Sequence, residues 1–106
     1  MSQPVLSADE VDAALTEQDL AWERRGDELV TTVTLPDFAG ALSFVNAVGA
    51  AAEAANHHPD IDIRWNKVTL TLTTHDSGGL TVLDLALAAA IDLLRPLRQR
   101  GGDTAE

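Results

Sequence analysis

Val68-Thr69-Leu70-Thr71-Leu72-Thr73 is the stretch whose reading decides the fold. Apolar and hydroxyl side chains alternate with a period of two, the spacing of a strand that turns one face to a core and the other away from it. Upstream, Asn66-Lys67 reads as a turn, and Ile61 and Ile63 alternate with Asp62 and Arg64 in a partner strand that Trp65 completes. Downstream, residues 75–79 form a loop, and Leu80, Leu83, Leu87, Ile91 and Leu94 recur at helical spacing after a Thr81 cap. Pro96 disturbs that helix. Arg95, Arg98 and Arg100 at its end suit the helix dipole, and residues 99–106 read as a flexible tail after an ordered core of about residues 5–98.

Further upstream, Asp37 is a good N-cap for a central helix over residues 38–55, with Leu42, Val45, Val48, Gly49 and Ala52 as its apolar stripe. Pro59 disfavours helical geometry at the residue before it, so this helix ends near residues 56–58. Before Pro36, Leu20, Trp22, Leu29, Thr31, Val33 and Leu35 recur on one side of two strands joined at residues 25–27. Ser7-Ala8-Asp9-Glu10 is a capping box that opens a short helix to about Thr16, with Val11, Ala14 and Leu15 as its stripe; residues 1–6 read as a frayed start. The order is α-β-β-α-β-β-α. Two antiparallel hairpins then make one four-stranded sheet with three helices on one face, an α+β fold whose other face or edge is free for a partner subunit.

A chain of 106 residues with 45% apolar content is one domain, residues 1–106, with a single core. Its longest apolar runs, residues 47–52 and 85–91, fall well short of the roughly 20 residues of a membrane span, and no secretory leader is visible. A soluble, cytoplasmic protein is expected. The absence of cysteine excludes disulfides, thiolate metal sites and cysteine nucleophiles. A net charge of -10 repels phosphate backbones and argues against direct nucleic-acid binding. Few aromatics and many alanines imply closely packed helices.

All three histidines lie within residues 53–84, bracketed by carboxylates. Imidazole exchanges protons near neutral pH, and a carboxylate within reach fixes its tautomer, so the segment reads as equipment for proton transfer. Glu53 and His57 are four apart, which on a helix is contact distance, though an ordinary surface pair of this kind is worth only ~0.2–0.5 kcal/mol. Pro59 aims His58 differently from His57. His75 follows the threonine strand, and Asp76, Ser77, Gly78 and Gly79 lead into a helix N-terminus whose backbone N–H groups could hold an anion or a carbonyl oxygen, or form a plain connection. Asp84 could face back to His75 or complement the helix dipole. Trp65 reads as a lid for a flat ligand or as core. A metal site is the rival use of three imidazoles, but adjacent histidines on an extended backbone point apart, whereas metal ligands converge.

Taken together, Glu53, His57, His58, Pro59, Trp65, His75 and Asp84, with Trp65-Asn66-Lys67-Val68 and the run from Thr74 to Thr81, closely resemble the pterin-4a-carbinolamine dehydratases. The resemblance is strong over residues 37–94. It implies dehydration of 4a-hydroxytetrahydropterin to quinonoid dihydropterin, a hydro-lyase reaction that recycles the cofactor of aromatic amino acid hydroxylases and needs no metal or other cofactor. It further implies that His57 and His75 protonate the leaving hydroxyl, that His58 acts as base or packs beside the ring, that Glu53 orients a histidine and that Asp84 holds His75. Pro59, Asp60, Ser77, Gly78 and Gly79 would border the pterin, with Trp65 and Asp76 beside them. Homodimers or homotetramers follow from the same resemblance. So does an alternative role as a non-catalytic pterin-binding or dimerisation module, since animal members also serve a homeodomain transcription factor. Leu83 departs from members that carry Arg before the final Asp.

Overall fold

The computed structural model describes residues 3–96. Seven elements follow in the order α1 Ala8–Glu17, β1 Glu23–Arg25, β2 Glu28–Thr34, α2 Phe38–Ala55, β3 Asp60–Arg64, β4 Lys67–Leu72 and α3 Val82–Asp92. The sheet is antiparallel throughout, with spatial order β1-β2-β4-β3. The second strand of each hairpin therefore lies at the centre, and the strand singled out by its alternation is one of that central pair. Leu29, Val33, Val68, Leu70 and Leu72 are fully buried on one face. They join Val11 of α1, Ala41, Phe44, Val48 and Ala52 of α2, and Leu85, Leu87, Ala88 and Ile91 of α3 in one apolar cluster. On the opposite face Thr32 and Thr69 share a hydroxyl hydrogen bond at 3.0 Å, so the uncovered side of the sheet is polar.

Local chemistry explains the element ends. Ser7 Oγ accepts from Glu10 N–H while Ser7 N–H donates to Glu10 Oε1, closing the expected capping box. Asp37 caps α2 through Gly40 N–H at 2.8 Å. α2 has the length and mean hydropathy, 1.3, of a membrane span; four of its residues are buried in the core. Its stripe is Ala41, Phe44, Val48 and Ala52, whereas Leu42 of the expected stripe is 42% exposed. Small residues at 41, 48 and 52 let the helix approach closely, and Phe44 takes the volume.

Four further expectations are corrected. Trp65 does not complete β3: it stands in the hairpin turn with Asn66, at φ +56°, because Arg64 already pairs with Lys67. Asn66 holds that turn by donating from Nδ2 to Leu35 O while its own carbonyl accepts Leu35 N–H. Only three residues form β1, and Leu20 and Trp22 precede it. Residues 3–6 are not frayed, since Leu6 N–H donates to Leu80 O and Ser77 Oγ–H to Gln3 O. Arg95 does not serve the helix dipole: it is buried against Asp92, whose carboxylate also accepts from Trp22 Nε1 and Ala21 N. Arg98, Arg100 and the tail lie outside the described residues.

Candidate active site

The histidines are positioned by how α2 stops. Asn56 adopts the left-handed conformation at φ 51°, its N–H donating to Glu53 O and that of His57 to Ala52 O, a Schellman ending. The chain reverses there. His57 is thereby carried off the helix surface and inward, so its helical spacing to Glu53 no longer applies. Pro59 then extends the backbone at His58, which leaves on the other side. His57 has an 11% exposed side chain and places Nε2 2.6 Å from Oδ1 of the fully buried Asp84. His58 is 56% exposed and places Nε2 2.6 Å from Glu53 Oε2.

Both carboxylate assignments thus differ from expectation. Glu53 orients a histidine, but it is His58, not His57. Asp84 holds His57, not His75, because its oxygens are taken: Oδ1 by His57, and Oδ2 by the Thr74 hydroxyl at 2.7 Å and Thr81 N–H at 2.9 Å. Thr81 and Asp84 also form the capping box of α3. One carboxylate therefore starts a helix and orients an imidazole.

A cavity of about 380 Å³ opens beside these groups, lined by Asn56, His57, His58, Thr73, Thr74, His75, Asp76 and Leu83. That volume falls in the range of roughly 300–1,000 Å³ typical of small-molecule sites. All three histidines line this one cavity, and imidazoles bordering a single bound molecule can give and take its protons. Among the described residues, no group of three histidine or carboxylate side chains converges as metal ligands would.

Other residues singled out from sequence stand elsewhere. Trp65 is 67% exposed at the far end of β3 and stacks on Phe38, with centroids 6.5 Å apart and planes 7° apart; it is neither lid nor core. The N–H groups of Ser77, Gly78 and Gly79 are all used by Thr74 and His75 carbonyls within the turn, so they do not form an anion cradle. Gly78 supplies φ +79°, and a Cβ on Gly79 would lie 2.9 Å from Val5 Cγ1. These glycines close the Thr74↔Gly79 bridge and seat the N-terminal segment. Pro59 directs His58, and Asp60 begins β3 opposite Thr71; neither lines the cavity. Asn56, Thr73, Thr74 and Leu83 were missed as lining residues. The Thr81-x-x-Asp84 capping pattern was the available signal that Asp84 turns toward the start of its own helix.

The family model for pterin 4 alpha carbinolamine dehydratase matches residues 4–94. The chain belongs to this family. A relative from Nocardia farcinica, named provisionally as a pterin-4-alpha-carbinolamine dehydratase, is 50% identical over 95 residues, 89% of this chain and 98% of its own. One from Chloroflexus aurantiacus, named in the same provisional way, is 53% identical over 89 residues, 84% of this chain and 95% of its own. Among solved structures, a transcriptional coactivator/pterin dehydratase from Brucella melitensis superposes with a TM-score of 0.80 at 27% identity, over 87% of this chain and 99% of that one. A pterin dehydratase-like protein described as a RuBisCO assembly factor of the alpha-carboxysome shares the fold at a TM-score of 0.57 and 24% identity, over 71% of this chain and 87% of that one.

Proposed function

We propose that this protein dehydrates a 4a-hydroxytetrahydropterin to the quinonoid dihydropterin. The observation that carries the reading is the convergence of His57, His58 and His75 on one cavity, with His57 backed by a buried carboxylate. In this reaction the C4a–O bond breaks as the N5 lone pair forms the C4a=N5 double bond. A general acid protonates the departing oxygen, a base takes the N5 proton, and water leaves. The buried His57 and the more exposed His75 are the acid candidates. His58, held by Glu53, is placed to accept or return the second proton. Coupled imidazoles exchange such roles, so the three act as a set.

The test is stopped-flow absorbance of chemically generated 4a-hydroxytetrahydropterin with and without the protein. Acceleration that disappears in a His57→Ala, His58→Ala double variant supports the enzyme. Pterin binding without acceleration would instead support a non-catalytic binding or regulatory module, a role in keeping with the Brucella melitensis protein, which is described as both a transcriptional coactivator and a pterin dehydratase. Cytoplasmic location, which rests on the composition and apolar patterning of the sequence, and an aromatic amino acid hydroxylase as pathway partner, which rests on the family resemblance, belong to the same proposal.

Assembly into a homodimer or homotetramer is also part of it. In support, residues 38–52 of α2 carry no charge, yet Leu42 and the stacked pair Phe38 and Trp65 are exposed, and β3 is an edge strand with Ile61 39% exposed.

A further inference from the structure

The hydroxyl groups behind His57 have one consistent direction of donation. Leu83 N–H donates to Thr81 Oγ1 at 3.2 Å and Thr81 N–H to Asp84 Oδ2 at 2.9 Å. Backbone N–H groups only donate, and a carboxylate only accepts. The 2.7 Å contact between Thr74 Oγ1 and Asp84 Oδ2 therefore uses the single hydroxyl proton of Thr74. That proton is then unavailable to Thr81, so the 2.8 Å contact between the two hydroxyls carries the proton of Thr81 toward Thr74. The same argument at Oδ1 requires His57 to donate from Nε2. Protons thus run from Thr81 to Thr74 to Asp84, and from His57 to Asp84.

We propose that Thr74 is a positioning residue for His57. Its hydroxyl fixes the Asp84 carboxylate, which commits His57 to the Nε2–H tautomer and leaves Nδ1 as the nitrogen that exchanges a proton with the substrate. This deepens the dehydratase reading and rests on it for the catalytic consequence; the tautomer itself does not. Thr74 is 6% exposed and stands directly before His75, so the residue that locks one imidazole also anchors the strand end that presents another. A methyl group in place of the hydroxyl would leave Oδ2 with one donor fewer and Thr81 without its acceptor. The carboxylate could then rotate.

The experiment is long-range ¹H–¹⁵N NMR of the histidine rings in the wild type, Thr74→Val and Thr74→Ser, with dehydration kinetics on each. The wild type is expected to show neutral His57 as Nε2–H. In Thr74→Val the tautomers should mix, and kcat should fall by about tenfold to a hundredfold with KM unchanged, the cost of a misplaced group; Thr74→Ser should restore both. An Nδ1–H tautomer in the wild type would overturn the proposal, even if Thr74→Val does not fold. So would a Thr74→Val protein with a lower Tm but unchanged tautomer and kcat, the signature of a purely structural role. A wild type that does not accelerate dehydration would sink the dehydratase reading and leave the spectra to decide the tautomer.

Discussion

His57 and His58 are adjacent in sequence but receive different environments from a single left-handed residue, Asn56. One imidazole is enclosed against a buried carboxylate; the other sits at the surface with Glu53. Substitution should therefore act differently at the two. His58→Ala removes a 56% exposed ring and should leave the thermal midpoint nearly unchanged while turnover falls by about 10²–10⁴, the usual worth of a general acid or base; full activity would remove His58 from the mechanism. That the three histidines belong to one candidate site was legible in the sequence, because histidines bracketed by carboxylates are conspicuous; the rest of the cavity lining, Asn56, Thr73, Thr74 and Leu83, was not. Which carboxylate serves which histidine was not. Spacing of four implies contact only while the helix continues, and α2 ends before His57.

The elements were legible where side-chain periodicity is unopposed. β4 follows its alternation residue by residue, and Val68, Leu70 and Leu72 are each 0% exposed. Leu72→Asp should accordingly yield no folded protein, since it places an unpaired charge in the core; a soluble product with native circular dichroism would show the register to be wrong. α2 was harder, since an alanine-rich helix offers several stripes of similar hydrophobicity and only packing selects one. The bridge from α1 to β1 gives a pH-dependent prediction. Arg24 donates from Nε and Nη2 to the two oxygens of Asp12, and chiefly through these hydrogen bonds holds its carboxyl below the ordinary aspartate range. A depressed folded value means that the contribution is present above the unfolded value and is lost as pH falls through the folded one. Asp12→Asn should therefore lower the thermal midpoint slightly at pH 7 and not at pH 2; an equal loss at both would show that the charge is irrelevant.

At the scale of the whole molecule, polar ties that are distant in sequence clasp the elements around the apolar cluster. The N-terminal segment bonds to the turn before α3, Asp84 joins α3 to the end of α2 through His57, and the Asp92–Arg95 pair joins the far end of α3 to Ala21, Trp22 and Thr31. None of these long-range pairings follows a local period, which is why sequence placed the helices but not their clasps. The assembly proposal is testable here: light scattering on the purified protein should give a mass at least twice the 11.2 kDa of the chain, and a monomer at micromolar concentration would contradict it. The central claim, that His57 moves a proton in a pterin dehydration, is tested most directly by the rate of 4a-hydroxytetrahydropterin decay with wild type and with His57→Gln, whose amide can still donate to Asp84. Wild type should accelerate the decay and His57→Gln should lose about 10²–10⁴ of the acceleration while remaining folded. An inactive wild type, or a fully active His57→Gln, would contradict the account.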